Sequence, residues 1–262
     1  MNLTRIKNLL LSLNHARKAV GIGFFAEAVK SNLKLEIMDS VPARKVLVLS
    51  PHPDDDIFGS GGTLKLLADT GSEIRAVYLA NGSSGNKSGK SDDGGTVKIR
   101  QQETEEGAKL IGIKSLSFWD YEDGKLETNK DTVSKLKAEM QKFQPEIIFS
   151  PTLLDPHPDH SETVKLLAET LKEIEFRGEI FQYEVWQPVF ANRLVKIDKT
   201  IETKKSAILA HKSQLDCRAY LEAIMGLNQY RAGMFNAGGF AEAFFASNKK
   251  IYLELAKQTK TI

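Results

Sequence analysis

Two short segments of the chain combine histidine with aspartate in turns that contain proline. The first is Pro51-His52-Pro53-Asp54-Asp55-Asp56, and the second is Asp155-Pro156-His157-Pro158-Asp159-His160. Imidazole and carboxylate groups at this density are typical of a catalytic metal site, which takes about three protein ligands and keeps a position for water. A further carboxylate that binds no metal can act as general base. The two segments therefore predict a hydrolytic metal site. The spacing alone leaves open which Asp of the first segment is a ligand and which His of the second faces the substrate.

Each segment follows an apolar stretch that is typical of a buried strand. Val46–Ser50 precedes the first segment, and Glu146–Ser150 precedes the second. In open α/β sheets, ligands bind outside the carboxyl ends of the strands. We therefore expect the two segments to meet at one edge of a sheet.

Strand and helix patterns alternate along most of the chain. Further strands are predicted at Glu73–Ala80, Leu116–Trp119 and Glu179–Trp186, and helices at Gly62–Asp69, Val97–Ile111, Thr132–Phe143 and Ser161–Ile174. Beyond residue 200 the pattern is helical, with candidates at Glu202–His211 and Ala219–Leu227. This alternation predicts an α/β fold, with a Rossmann-like, mostly parallel sheet and helices on both faces. We assign residues 44–262 to a single domain of this kind.

Residues 1–43 are interpreted as an N-terminal helical extension. Ile6, Leu9, Leu10, Leu13 and Ala16 recur at helical spacing, with basic residues between them. Two interpretations stand: a helix that packs on the domain or on a partner subunit, or a basic amphipathic helix on an anionic membrane surface. We expect a cytoplasmic homo-oligomer, with peripheral membrane contact through this helix as the alternative.

Asn81–Thr96 is rich in Gly and Ser and has almost no apolar residue, so it is predicted to be an exposed loop. It follows a strand of the same sheet and should emerge at the edge where His52 lies. A substrate lid and an idle surface loop are both compatible with this composition.

Composition excludes several classes of protein. The net charge is +2 and no basic run with interleaved aromatic residues is present, so we expect no nucleic-acid partner. Cys217 is the single cysteine, which excludes an internal disulfide and a thiolate zinc site. No apolar run approaches the roughly 20 residues of a transmembrane helix.

The two histidine segments also resemble the PIG-L/LmbE-like zinc deacetylases. The resemblance rests on Pro-His-Pro-Asp-Asp after a strand, Gly-x-Gly-Gly behind it and a later His-Pro-Asp-His. It also includes Arg100-Gln101-Gln102-Glu103, Asp123-Gly124 and His211-Lys212-Ser213-Gln214. That family removes acetyl groups from N-acetylglucosamine units. The resemblance therefore implies a zinc-dependent N-deacetylase that acts on an amino sugar or on its glycolipid conjugate.

The resemblance also implies a role for each residue of the site. It implies three zinc ligands, namely His52, Asp55 and His160. Asp54 becomes the general base that takes a proton from the attacking water. His157 becomes the protonated group that stabilises the oxyanion or protonates the departing amine, and Asp159 orients it.

Two further residues resemble positions that contact sugar hydroxyl groups. Arg100 either contacts substrate or forms an exposed ion pair with Glu103. Asp123 either contacts substrate or is a turn residue before Gly124. One departure concerns Asp56, where the family often has Glu; the shorter side chain puts the support of the ligands in doubt.

Alternatives remain for the metal, the aromatic residues and the reaction. Iron, cobalt or manganese can also occupy a His and carboxylate site. Four aromatic residues near strand ends are interpreted as packing residues or as sugar-stacking surfaces, namely Trp119, Tyr121, Tyr183 and Trp186. The alternatives to a sugar deacetylase are a metal-dependent hydrolase of a non-sugar amide and a sugar-binding protein without turnover.

Overall fold

A computed structural model of the chain describes residues 34–85 and 95–259. The strands in this part are β1 Glu36–Met38, β2 Lys45–Ser50, β3 Glu73–Ala80, β4 Ser115–Tyr121, β5 Ile147–Pro151, β6 Glu179–Tyr183, β7 Arg193–Lys196 and β8 Ala241–Asn248. The helices are α1 Asp55–Asp69, α2 Gly95–Ile111, α3 Lys130–Phe143, α4 Pro158–Glu173, α5 Ile201–Ala210, α6 Lys212–Leu215, α7 Tyr220–Phe235 and α8 Lys249–Thr259.

The strands form one eight-stranded sheet in the order β1-β7-β8-β6-β5-β2-β3-β4. Only β8 runs antiparallel to its neighbours, β6 and β7. The predicted α/β fold with a mostly parallel sheet is confirmed. The chain passes from β2 to β3 on one side and later places β5 on the other side of β2. This reversal of direction creates a crevice at the carboxyl ends of β2 and β5, where ligands bind in such sheets.

The central strands are buried on both faces because alternate side chains enter two different cores. Val46 and Val48 of β2 pack in one core with residues of α1, α2 and α5. Leu47 and Leu49 pack in the other with residues of α3, α4 and α8. The two-residue period of a strand explains this division. Helices therefore pack on both faces of the sheet, as predicted.

Helix α1 begins at Asp55 and not at Gly62, so that boundary was wrong. Glycines at 59, 61 and 62 suggested a loop, because each costs a helix interior about 1 kcal/mol relative to alanine. Tight packing outweighs this local preference. A Cβ atom on Gly62 would lie 2.8 Å from side-chain carbons of Ile197.

Other boundaries also differ from those predicted. Strand β6 ends at Tyr183 and not at Trp186, while α7 continues to Phe235. The region beyond residue 200 contains β8, which was not predicted. Its sequence lacks polar alternation because both faces are buried, and its one charged side chain, Glu242, forms a buried ion pair with Lys204.

Much of the predicted N-terminal extension lies outside the described residues, as does the helix proposed around Ile6 to Ala16. Within the extension, Glu36–Met38 forms strand β1 and pairs in parallel with β7. The middle of the predicted loop 81–96 also lies outside the described part. No helix in residues 34–85 or 95–259 is both long enough and apolar enough to cross a membrane.

Candidate metal centre and adjoining cavity

Two loops at neighbouring strand ends bring the histidine segments together. His52 and Asp54 lie between β2 and α1, and Asp55 opens α1. His157 is the N-cap residue of α4, and His160 lies in its first turn. Because β2 and β5 are parallel neighbours, both loops emerge at the same edge of the sheet. This placement agrees with the prediction.

The side chains of His52, Asp55 and His160 converge on one point. Nδ1 of His52 lies 3.2 Å from Oδ2 of Asp55, and Nε2 of His160 lies 3.1 Å from the same oxygen. The two ring nitrogens are 3.3 Å apart. A tetrahedral zinc ion with bonds of about 2.0–2.1 Å separates its ligand atoms by about 3.3–3.4 Å. These three atoms therefore fit a single divalent ion.

Two other groups of side chains offer ligand atoms that lie within 4.8 Å of one another. The first group is His52 with His157 and His160. The second is His52 with Asp123 and Asp159. We favour the group with Asp55, because its separations match a tetrahedral site.

The second ring nitrogen of each converging histidine lies next to a buried carboxylate. Nε2 of His52 lies 3.0 Å from Oδ2 of Asp159, and Nδ1 of His160 lies 3.0 Å from Oδ2 of Asp155. Metal-binding histidines usually have such a partner, which fixes the tautomer and the ring orientation. Asp155 was missed as a site residue. The signal was available, since Asp155 precedes His157 by two residues in the second segment.

The structure places Asp159 differently from the role that the resemblance implied. Its carboxylate contacts His52 and accepts the backbone N–H of Gly124 at 2.9 Å, whereas we expected it to orient His157. Only the backbone N–H of Asp159 reaches His157, at 3.3 Å from Nδ1. Asp159 therefore supports a candidate ligand and does not pair with the candidate acid.

The centre favours positive charge at the point of convergence. Burial lowers the pKa of His52, but hydrogen bonds with Asp159 and Asp55 outweigh burial and raise it to about 10. Burial likewise opposes charge on His160, but Asp55 and Asp155 raise its pKa to about 9. The pKa of Asp55 falls, because the two imidazoles outweigh the effect of burial. This excess of carboxylate around the imidazoles would also stabilise a bound cation.

Asp54 lies beside this centre and is positioned by Arg100. Nη2 of Arg100 donates to Oδ2 of Asp54 at 2.9 Å, and Nη1 donates to the carbonyl of Gly82 at 3.1 Å. Burial raises the pKa of Asp54 to about 6, although Arg100 opposes this shift. A carboxylate with such a pKa is well matched to accept a proton near neutral pH.

Arg100 does not form the exposed ion pair with Glu103 that was one alternative. Its side chain is only 3% exposed and faces Asp54. Glu103 instead accepts hydrogen bonds from the backbone N–H and hydroxyl group of Ser213. Arg100 lines the cavity, so a contact with substrate stays a prediction.

His157 is half-buried and faces the cavity. Burial lowers its pKa, and the charges of His52 and His160 lower it further. Its Nδ1 accepts the Asp159 backbone N–H, so the neutral ring carries its proton on Nε2. This state differs from the protonated ring that the resemblance implied.

Asp123 anchors the start of the loop that follows β3. Its two carboxylate oxygens accept the backbone N–H groups of Gly82 at 2.7 Å and of Ser84 at 2.9 Å. Gln214 holds the same loop through the carbonyl of Gly85. Asp123 also lines the cavity, so its contact with substrate stays a prediction as well.

A cavity of about 530 Å³ opens above the convergent side chains. Its walls include side chains from distant parts of the sequence, among them Trp186, Gln214, Arg218 and Tyr220. Trp186 stacks on His157 with the ring centroids 6.1 Å apart, whereas Trp119 and Tyr183 are buried in the cores. The sequence signals for this wall were the His-Lys-Ser-Gln segment and Trp186, one of the aromatic residues considered for sugar stacking.

Comparison with known proteins supports the resemblance. The family profile described as "PIG-L: GlcNAc-PI de-N-acetylase" matches residues 47–171. The probable N-acetyl-alpha-D-glucosaminyl L-malate deacetylase 2 of Bacillus cereus is 30% identical over an alignment of 190 residues that covers 66% of this chain and 84% of that protein. The chain belongs to the PIG-L/LmbE family.

The proteins that this chain is similar to differ in reaction. The diacetylchitobiose deacetylase of Thermococcus kodakarensis is 28% identical over an alignment of 216 residues that covers 72% of this chain and 79% of that enzyme. The N,N'-diacetylchitobiose deacetylase structure from Pyrococcus horikoshii has a TM-score of 0.71 at 26% identity, covering 88% of this chain and 94% of that chain. However, the 4-oxalmesaconate hydratase of Pseudomonas putida is 29% identical over 136 residues, 50% of this chain and 52% of the hydratase.

Asp56, the departure from the PIG-L/LmbE pattern, is fully buried. Its Oδ2 accepts the hydroxyl group of Tyr78 at 2.8 Å, and its backbone N–H donates to the hydroxyl of Ser50. Burial raises the pKa of Asp56 to about 7. The shorter side chain therefore ties α1 to β2 and β3 beneath the candidate ligands.

Proposed function

We propose that the protein is a metal-dependent N-deacetylase that removes the acetyl group from an N-acetylglucosamine-type sugar or its glycoconjugate. The observation that carries this proposal is the position of Asp54, a buried carboxylate held by Arg100 beside three convergent ligand side chains. A separate base next to a metal site is what hydrolysis requires.

His52, Asp55 and His160 would hold the ion. Zinc is favoured by the spacing of their ligand atoms and by the donor set of two imidazoles and one carboxylate. When bound, such an ion lowers the pKa of a coordinated water and polarises a carbonyl oxygen. Asp159 and Asp155 would keep the two rings in the tautomers that present a lone pair to the ion.

Asp54 would move the proton that the reaction has to transfer. It accepts one proton from water as the water oxygen attacks the acetamide carbonyl carbon. The C–N bond then breaks, and Asp54 returns that proton to the nitrogen, so that acetic acid and a free amine are the products. Its pKa of about 6 suits both directions of this transfer.

His157 would act as a neutral donor. The ring nitrogen that faces away from the Asp159 backbone carries the proton, so it can donate to the carbonyl oxygen as negative charge develops there. Arg100 would position Asp54 and contact substrate hydroxyl groups, and Asp123 would border the same cavity.

A hydratase is the second candidate, because one curated relative adds water to 4-oxalmesaconate. Both reactions need an activated water, but only deacetylation releases acetate. The hydrolase of a non-sugar amide and the binder without turnover, which were considered from sequence, remain alternatives in the same test.

The two reactions separate in one experiment. Metal-stripped protein with one equivalent of zinc is incubated with the methyl glycoside of N-acetylglucosamine and, separately, with 4-oxalmesaconate. We expect acetate from the glycoside and no hydration, and we expect Asp54→Asn to abolish most of the acetate. Hydration without acetate would instead assign the chain to the hydratase branch, and neither product would favour the remaining alternatives.

A further inference from the structure

A second cavity of about 280 Å³ adjoins the one above the metal centre. The two cavities share five lining residues, namely Phe58, Val185, Trp186, Arg218 and Tyr220. These residues lie between the two cavities, so the second cavity is next to any ligand that fills the first.

The second cavity is lined mainly by apolar side chains. Helix α7 and the residue before it contribute Ala219, Ala223, Ile224 and Leu227, and Phe58 and Val185 close the other side. Such a lining favours an apolar group, since burial removes its surface from water without leaving polar atoms unpaired.

Two polar side chains of this cavity already have partners within the protein. Glu184 is paired with Arg231 and also accepts the backbone N–H of Val189. Asn228 accepts a hydrogen bond from Lys204 at 3.0 Å. A ligand group that binds Glu184 or the side-chain oxygen of Asn228 would therefore have to compete with these bonds.

Arg218 lies where the two cavities meet. Its guanidinium group is 4.9 Å from the centroid of the Trp186 ring, and Trp186 in turn stacks on His157. This stacked group provides a flat surface at the junction of the two cavities.

We propose that the second cavity binds an apolar aglycone, an alkyl chain or aromatic ring attached to the amino sugar that is deacetylated. This inference rests on the proposed function and narrows its substrate class. At about 30 Å³ per water-sized group, the cavity holds about nine such groups, which suits a hexyl chain or a phenyl ring.

Calorimetric titration tests this inference without relying on turnover. Zinc-supplemented Asp54→Asn protein is titrated with the methyl and the hexyl glycoside of N-acetylglucosamine. Each buried methylene contributes about fourfold in affinity, so we expect the hexyl glycoside to bind at least about tenfold more tightly. Equal affinities, or no binding of the hexyl glycoside, would overturn the inference.

Two matched variants locate the effect. Ala223→Trp fills the second cavity and is expected to reduce the preference for the hexyl glycoside to about twofold or less. Gly226→Trp adds the same indole to the same helix, where a Cβ would have no neighbour within 4 Å, and should keep the preference. A preference that survives Ala223→Trp would also overturn the inference.

Acetate release by the zinc-loaded parent protein from the same two glycosides keeps the two proposals apart. A tight hexyl complex that depends on Ala223 but yields no acetate would refute the deacetylase and leave the cavity assignment intact. Equal acetate release from both glycosides, with equal affinities, would refute the cavity assignment and leave the deacetylase intact.

Discussion

The two imidazoles of the centre each have one nitrogen directed at Asp55 and the other held by a second carboxylate. This arrangement determines which lone pairs are available to a metal ion. It also makes Asp155 and Asp159 supporting residues that should affect metal affinity without touching the ion.

We predict that Asp155→Asn weakens zinc binding by about 10–100-fold, because His160 loses the carboxylate that orients its ring. Competition with a chromogenic chelator measures this affinity. Asp131→Asn serves as the control, since Asp131 is exposed in the first turn of α3 and should leave affinity unchanged. Unaltered affinity in Asp155→Asn would show that this contact does not support the site.

We predict that Asp54→Asn retains one zinc ion while kcat for acetate release falls by about 10²–10⁴, the usual contribution of proton transfer. Metal analysis and steady-state kinetics on the same preparation distinguish the two effects. Loss of the metal would make Asp54 a ligand, and undiminished turnover would remove it from the role of base.

For individual residues, the sequence predicts which side chains come together more accurately than it predicts the carboxylate that each of them contacts. The positions of His52 and His160 after two strands are sufficient to bring them together. The choice of Asp159 for His52, and of Asp155 for His160, depends on loop dihedral angles and side-chain rotamers that no spacing rule specifies. One of the two interpretations of Arg100 was an exposed ion pair with Glu103, because local spacing does not reveal the tertiary contact with Asp54.

Among the elements, α1 shows how packing overrides local preference. Its glycines discourage a helix, yet the helix begins at Asp55 and so brings this carboxylate to a helix N-terminus, where negative charge is favourable. Helix α1 can approach the residues after β7 this closely only because Gly62 has no side chain.

Alanine substitutions at two helical glycines should have opposite effects on stability. Gly62→Ala places a Cβ 2.8 Å from Ile197 and should lower the free energy of unfolding by about 1–3 kcal/mol through overpacking. Gly226→Ala, in open space on α7, should raise it by about 0.5–1 kcal/mol. Urea denaturation of both variants tests this, and the same sign for both would contradict it.

For the molecule as a whole, the alternation of strands and helices was enough to predict a parallel sheet with helices on both faces. It was not enough to predict the sheet edge formed by β1, β7 and β8. Strand β8 is buried on both faces, so its sequence has neither polar alternation nor helical periodicity. Glu242 of β8 made the strand harder to predict, because a charged residue normally indicates an exposed position, whereas Glu242 is buried against Lys204.

The stability of the whole fold should depend on pH through His211. This side chain is fully buried, and neither ring nitrogen has a hydrogen-bond partner among the described residues. Burial, assisted by the charge of Arg100, lowers its pKa to about 3. Protonation of His211 therefore favours the unfolded chain. The stability that the neutral ring contributes is complete above an unfolded-state pKa of about 6.5 and is lost as the pH falls toward 3.

Lowering the pH from 7 to 5 should reduce the free energy of unfolding of both proteins. We expect this reduction to be smaller in His211→Leu than in the parent, by about 2 kcal/mol. Urea unfolding of metal-stripped proteins at both pH values measures the difference, and the shared metal centre cancels in the comparison. An identical pH dependence in the two proteins would show that His211 is not held neutral by burial.

The most direct test of the central claim, a single hydrolytic metal site, is a zinc titration of acetate release. Metal-stripped protein at a known concentration receives increasing zinc, with the methyl glycoside of N-acetylglucosamine as substrate. We predict a rate that rises in proportion to zinc and levels off at one equivalent. Full release by the stripped protein in the presence of a chelator, or no release at any zinc concentration, would contradict the claim.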